Sequence, residues 1–91
     1  MPDSASVSPV DQQIFRLDLP VETVSAYLLI CGLTAEAGPP THRRLLPVWN
    51  DTPAALETAL AELTRRAIVA ADTVGSETTY RLRPAARWRR P

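Results

Sequence analysis

The sequence predicts a small α+β domain, mainly α, in which three helices are followed by a C-terminal β-hairpin. Residues 53–67 repeat leucine at the spacing of one helix face. Two segments with β-forming residues, 68–71 and 78–83, then flank a turn that contains Gly75. A chain of 91 residues with 45% hydrophobic residues is large enough for one domain with one core. We therefore expect a single folded unit.

The N-terminal part predicts a tail followed by a short arm. Residues 1–13 are rich in Ser, Pro and Asp and show no apolar period, so we expect a disordered tail. The folded domain should span residues 14–84. Phe15, Leu17 and Leu19 alternate with polar residues, which is the period of a half-buried strand and predicts an extended arm.

The first helix is predicted over residues 21–33, directly after Pro20. Apolar residues occur on both of its sides, and a helix that is apolar all round must be covered on both sides. The arm or a second copy of the chain could provide the second cover, and we expect a homodimer. The predicted dimer interface consists of Ala26, Leu29, Ile30 and Leu33.

The second and third helices are predicted from their caps. Thr41 can cap a second helix that runs to about Trp49, but Pro47 predicts that this helix is short or broken. Thr52 and Pro53 suit the cap and first position of the third helix. On that helix the spacing predicts one buried side, formed by Leu56, Leu60 and Leu63. A Glu62–Arg66 pair, four residues apart, is expected on its surface.

Charge is unevenly distributed although the formal net charge is zero. Residues 1–40 have five acids and one arginine, and residues 41–80 have five acids and four arginines. Residues 81–91 have five arginines and no acid. The C-terminal end, with the predicted basic tail 85–91, is therefore the part of the chain that favours an anionic partner.

Several function classes find no support in the sequence. No apolar stretch is long enough to span a bilayer, and the N-terminus lacks the pattern of a secretory signal, so we expect a cytoplasmic protein. Cys31 lies in an apolar run and is expected in the core. His42 has no cluster of ligand residues around it in the sequence. We expect no metal, no cofactor and no enzymatic activity.

The order of elements resembles that of the winged helix-turn-helix family of bacterial regulators over residues 21–83. Residues 38–41, Gly-Pro-Pro-Thr, resemble the turn into the second helix. Residues 59–69 are similar to the end of the recognition helix where it enters the wing, and residues 79–82 to the returning wing strand. Ala67 departs from the pattern because the family commonly has Gly there, and Pro47 interrupts the second helix.

The resemblance implies a DNA-binding transcription regulator whose third helix faces the major groove and whose wing touches the backbone. The outward side of this third helix is mostly alanine, flanked by Glu57 and Glu62, and Thr58 offers one hydrogen-bonding group. Contacts should therefore be made mainly to phosphates. The predicted nucleic-acid contacts are His42, Arg43, Arg44, Thr58, Arg65, Arg81, Arg83, Arg87, Arg89 and Arg90.

A second function fits the same residues. The acidic N-terminal half suits a winged helix that binds no DNA and docks a protein partner, through either its Ala- and Glu-rich third helix or its apolar first helix. Each predicted contact also has an ordinary structural interpretation, because Arg43 and Arg44 can be a solvated helix face. Trp88 can pack on the domain instead of stacking on a base.

Overall fold

The computed structural model describes residues 10–89 and confirms the predicted fold class. It has the layout of a three-helix winged helix with a C-terminal hairpin. The helices are α1 (Val21–Ala37), α2 (His42–Leu45) and α3 (Pro53–Arg65), and the strands are β1 (Val69–Val74) and β2 (Glu77–Leu82). Three short 3-10 helices lie at Gln12–Arg16, Leu46–Val48 and Ala85–Arg87.

The segment before α1 is a 3-10 helix, so the predicted extended arm is wrong. Asp11 caps this helix by accepting a hydrogen bond from the Gln13 amide at 3.0 Å. Ile14 and Leu17, three residues apart, are buried, whereas Phe15 is 59% exposed. The buried residues are thus three apart, as in a 3-10 helix, and do not alternate as in a strand. The 3-10 helix also starts inside the predicted tail, at Gln12. Residues 1–9 of that tail lie outside the described residues.

Helix α1 buries a single stripe, which includes Ala26 and Ile30 of the predicted dimer interface. The buried residues are Thr23, Ala26, Tyr27, Ile30 and Cys31. The helix runs four residues beyond its predicted end and stops before Gly38, whose φ of 86° is easily adopted only by glycine. The Asp11 amide donates to the Tyr27 hydroxyl at 3.0 Å and holds the N-terminal 3-10 helix on α1.

The caps of α2 and α3 are those predicted. The Thr41 hydroxyl accepts from the Arg44 amide at 3.2 Å, and the Thr52 hydroxyl accepts from the Ala55 amide at 3.1 Å. Pro47 limits α2 to four residues and leaves the following turn, Leu46–Val48, as a 3-10 helix. The predicted break at this proline is therefore confirmed.

Helix α3 ends two residues before its predicted end, in a tight turn of the Schellman type. The Ile68 amide donates to the Leu63 carbonyl at 2.9 Å, and the Ala67 amide donates to the Thr64 carbonyl at 3.0 Å. Ala67 has a φ of 58°, the left-handed conformation that costs a residue with a Cβ about 1–2 kcal/mol. This is the position where the resembling family commonly has glycine.

The hairpin has a two-residue loop, Gly75 and Ser76, with Gly75 at a φ of 65°. Its register pairs Ala70 with Arg81 and Ala71 with Tyr80. On the other edge of β2, the Tyr80 amide donates to the Pro40 carbonyl at 2.9 Å. An isolated bridge between Thr41 and Thr79 extends this contact. The segment before α2 is thereby fixed to the hairpin.

One core joins all the elements except the 3-10 helix Leu46–Val48, and Leu56, Leu60 and Leu63 point into it as predicted. Trp88 also belongs to this core, being only 6% exposed. Its ring meets the ring of Tyr27 edge to face, with centroids 5.9 Å apart.

Burial raises the pKa of Cys31 to about 11, so this thiol is protonated at neutral pH. Within residues 10–89, no helix has the length and apolarity needed to cross a membrane.

Candidate nucleic-acid interface

The predicted contact residues fall on two faces of the hairpin. Tyr80 and Ala71 share the face that meets α3, because both line one surface trough with it. Their strand neighbours Arg81 and Ala70 point to the opposite face, since side chains alternate along a strand. We call the surface formed by α2, α3 and the first of these faces the front face.

On the front face, α2 meets α3 and the hairpin around a cleft of about 460 Å³. The Nε2 atom of His42 forms a short hydrogen bond with a carboxylate oxygen of Glu57 across this cleft. The Arg43 Nε lies 4.0 Å from a carboxylate oxygen of Glu77 on β2. Arg44 is exposed and forms no ion pair within the described residues. Two of the three predicted contacts on α2 therefore face carboxylates.

The two arginines at the end of α3 share one carboxylate. Glu62 binds Arg66 and, at 2.5 Å, Arg65 through its two carboxylate oxygens. The predicted Glu62–Arg66 pair is thus confirmed, with Arg65 as an unpredicted second partner. The hydrogen bonds from Arg66 and then Arg65 hold the pKa of the Glu62 carboxyl below its usual value.

The remaining predicted contact of α3, Thr58, has little left to offer a base. Its hydroxyl donates to the Ala54 carbonyl of its own helix at 3.1 Å. Thr58 lines a cleft next to the start of α1. A separate, apolar trough lies between α3 and the hairpin, with Leu60, Ala61 and Ala71 among its lining residues. Tyr80 forms part of the trough, and burial, followed by the nearby Glu57 charge, raises its pKa. The outward side of α3, with its alanines and the internally bonded Thr58, therefore offers few groups that read base edges.

Three predicted contacts converge on the opposite face. Arg81, Arg83 and Arg87 line a cleft of about 350 Å³ together with Ala70, Leu82 and Pro84, which we call the root cleft. No acidic side chain is among these lining residues. Arg81 is bound at 2.6 Å by Asp72, its diagonal neighbour across the hairpin. This pairing lowers the pKa of the Asp72 carboxyl.

Arg83 and Arg87 remain available in the root cleft. Within residues 10–89 neither forms an ion pair. The exposed Arg89 likewise forms none, but its backbone amide donates to the Arg66 carbonyl at 2.5 Å. The last predicted contact, Arg90, lies outside the described residues.

Trp88 fixes the wall of the root cleft, a role that the sequence did not reveal. Its Nε1–H donates to the Arg83 carbonyl at 2.9 Å, and its ring packs on Tyr27. The segment with Arg87 and Arg89 is thereby folded against the domain, although the sequence suggested a tail. A tryptophan among arginines between two prolines was the available signal. Its alternative interpretation, packing on the domain, is confirmed.

The predicted dimer interface is wrong for two of its four residues. Ala26 and Ile30 are both 0% exposed inside the protomer and offer no atoms to a second copy. Leu29 and Leu33 are half-buried and pack against the same core. The cause is the position of the buried stripe of α1, which includes Ala26 and Ile30 together with Tyr27 and Cys31.

In the part of the chain that the structure describes, no group of three or more His, Cys, Asp or Glu residues is arranged to hold a metal ion. Comparison of the chain with protein-family models, with curated proteins and with solved structures gives no match.

Proposed function

We propose that this winged-helix domain binds nucleic acid through backbone phosphates at the root cleft. The observation that supports this proposal is the convergence of Arg81, Arg83 and Arg87 on one cleft that no carboxylate lines. Guanidinium groups bind phosphate oxygens in a bidentate fashion, and two of these three are not already bound by an acid. On the front face, by contrast, every cation except Arg44 lies within 4.0 Å of a carboxylate oxygen of Glu57, Glu62 or Glu77.

This mode of binding is weak, tolerant of sequence and strongly dependent on salt. Phosphate contacts carry no sequence information, and counterion release gives each of them a share of the salt dependence. The alanines and the internally bonded Thr58 of α3 add no base contacts. The domain therefore associates with nucleic acid without selecting one target site through α3.

The test is a titration of a labelled DNA duplex, followed by fluorescence anisotropy at several salt concentrations. The double variant Arg83→Ala/Arg87→Ala should bind more weakly and lower the salt slope by about 2, roughly one for each lost phosphate contact. The charge-matched control is Arg16→Ala/Arg65→Ala. Both of its residues are exposed and neither lines the root cleft.

The double variant and its control distinguish binding at the root cleft from attraction by the overall charge of the protein. Equal weakening by both would mean that only overall charge matters and that the root cleft is not the site. Absence of binding by the unaltered protein at low salt would refute the proposal altogether. The predicted contacts Arg43 and Arg44 are tested in the same way, with Arg43→Ala/Arg44→Ala expected to have the smaller effect.

A second candidate function is protein docking on the front face. The trough between α3 and the hairpin has apolar lining residues in Leu60, Ala61, Ala71 and Tyr80, and the charged side chains of Glu57 and Arg65 border it. Such a surface suits a partner that inserts an apolar side chain. An Ala61→Glu variant that abolishes partner binding and retains duplex binding would favour this candidate.

We further propose the setting in which the domain acts. It is a member of the bacterial winged helix-turn-helix regulators, acts in the cytoplasm as a homodimer and catalyses no reaction. A homodimer would bring two root clefts to one duplex, which raises the apparent affinity without any new contact.

A further inference from the structure

The outer face of α1 has an unusual composition for a surface helix. It consists of Val21, Ser25, Leu28, Gly32 and Ala35, which follow one another at spacings of three and four and are all exposed. Val21 is 78% exposed and Leu28 is 38% exposed. No charged residue occurs between Glu22 and Glu36.

A helix on the surface of a protein normally has charged residues on the side that faces water. The N-terminal 3-10 helix and Trp88 both contact Tyr27, which belongs to the buried stripe of α1. Within the described residues, the outer face stays open to solvent over more than three turns. Val21 and Leu28 are the large apolar side chains exposed on this face, and an uncharged helix face that exposes apolar side chains suits an interface.

We propose that the outer face of α1 binds the same face of a second copy, around a two-fold axis near Leu28. This inference rests on the homodimer proposed above and not on nucleic-acid binding, so the two can fail separately. In a two-fold interface the same patch meets itself and must be self-complementary.

The shape of the outer face meets this requirement. Leu28 projects between Ser25, three residues before it, and Gly32, four residues after it. Both neighbours are small, and a Cβ built on Gly32 would meet no atom within 4 Å. Each copy thus offers one large side chain and two shallow positions beside it, so Leu28 of one copy fits beside Leu28 of the other.

The charge distribution also favours a second copy over a charged partner. Glu22 and Glu36 stand near the two ends of the helix, and the centre is neutral. Helices that pack with interlocking ridges commonly cross at about −50°, which moves their ends apart and separates the carboxylates of the two copies. A basic helix would find no acid to pair with at the centre of this face.

Sedimentation equilibrium over a wide range of protein concentration tests the proposal. The unaltered protein should show a dimer that dissociates on dilution. Leu28→Glu places a carboxylate next to its symmetry mate and should raise the dissociation constant at least about tenfold. Its control is Val74→Glu, which changes another apolar residue, 80% exposed at the hairpin tip, and should leave the dimer unchanged.

A second variant separates the interface from protomer stability. Gly32→Leu fills the shallow position that Leu28 of the second copy needs, while open space in the protomer accommodates the new side chain. It should weaken the dimer and leave the melting temperature of the dilute protein equal or higher, because leucine favours the helix.

Three outcomes overturn the inference. The first is a monomeric mass of the unaltered protein at every concentration, which would also leave the face free for a partner of another kind. The second is a dimer that Leu28→Glu and Gly32→Leu do not weaken. The third is a dimer that Val74→Glu weakens as much as Leu28→Glu does.

Discussion

Cationic side chains have different surroundings on the front face and in the root cleft. On the front face Glu62 binds both Arg65 and Arg66, and Glu57 binds His42. In the root cleft Arg83 and Arg87 form no ion pair within residues 10–89. A count of arginines therefore says little about where an anion can bind. The local ratio of cations to carboxylates decides it, and this ratio follows from which elements lie next to each other.

The largest change in the free energy of unfolding should come from substitution of Trp88. This residue fixes the wall of the root cleft through its hydrogen bond to Arg83 and takes no part in the front face. Trp88→Ala removes a buried ring from its contact with Tyr27 and should lower the free energy of unfolding by about 3–5 kcal/mol. Trp88→Phe retains an aromatic ring, loses the hydrogen bond to the Arg83 carbonyl together with part of the buried ring volume, and should cost less, about 1–3 kcal/mol. Urea unfolding measures both changes. A midpoint for Trp88→Ala equal to that of the unaltered protein would mean that the C-terminal segment does not pack on α1.

The next effect concerns Ala67, which joins α3 to the hairpin and so connects the two regions. Ala67→Gly removes the left-handed strain of about 1–2 kcal/mol, partly offset by about 0.5–1 kcal/mol of added unfolded-state entropy. The protein should become more stable by about 0.5–1 kcal/mol. Ala61→Gly, the same change at a regular helical position in α3, should destabilise by about 1 kcal/mol. Thermal unfolding of both variants checks the opposite signs, and a loss of stability in Ala67→Gly would contradict the turn geometry.

Glu62→Gln should leave the front face with arginines that no carboxylate binds, as in the root cleft. It releases Arg65 and Arg66, so affinity for a DNA duplex should rise, while stability at neutral pH falls by about 0.5–1 kcal/mol. The pKa of Glu62 is lowered by folding, so its contribution is present above the unfolded pKa of about 4.3 and is lost as the pH falls through the folded pKa. The stability difference from the unaltered protein should therefore vanish in acid.

Urea unfolding at neutral and acidic pH, together with duplex titration, measures both effects of Glu62→Gln. Glu36→Gln is the control, because Glu36 is exposed and forms no ion pair within the described residues. If Glu62→Gln left duplex affinity unchanged, the carboxylates would not be what distinguishes the two regions.

The smallest effect on stability is expected for Asp72, whose pair with Arg81 is exposed on the hairpin surface. Asp72→Asn should not shift the melting temperature measurably, since water and salt screen such pairs. It should nevertheless strengthen duplex binding by freeing the third arginine of the root cleft. Asp18→Asn changes the charge equally at a residue that does not line the cleft. Equal gains in affinity from both variants would argue against a local site.

The sequence predicted those elements whose polar and apolar residues differ clearly. In α3, Leu56, Leu60 and Leu63 left one possible buried side, and Thr52 marked the start of the helix. In α1 the stretch between Glu22 and Glu36 has no charged residue to mark an outer side. Its buried stripe was therefore assigned to the wrong faces, and the predicted dimer contacts were misplaced with it.

The site was less predictable than the fold, because ion pairing depends on contacts between elements. Only Glu62–Arg66 follows the helical spacing of four that can be recognised in a sequence. Asp72 meets Arg81 through the register of the hairpin, and Glu57 meets His42 through the packing of α2 on α3. These pairings determine which arginines remain available, and they require the tertiary structure.

The hydrogen bond between the Tyr80 amide and the Pro40 carbonyl joins segments that lie forty residues apart in the chain. Breaking it requires β2 to separate from the segment before α2, so this amide should exchange with solvent deuterium only when the whole domain opens. The amides of β1 near the tip, at Asp72 and Val74, depend on the hairpin alone and should exchange earlier through local fraying. Exchange measured residue by residue would thus reveal a gradient of protection along the hairpin, from a labile tip to a base that reports global stability.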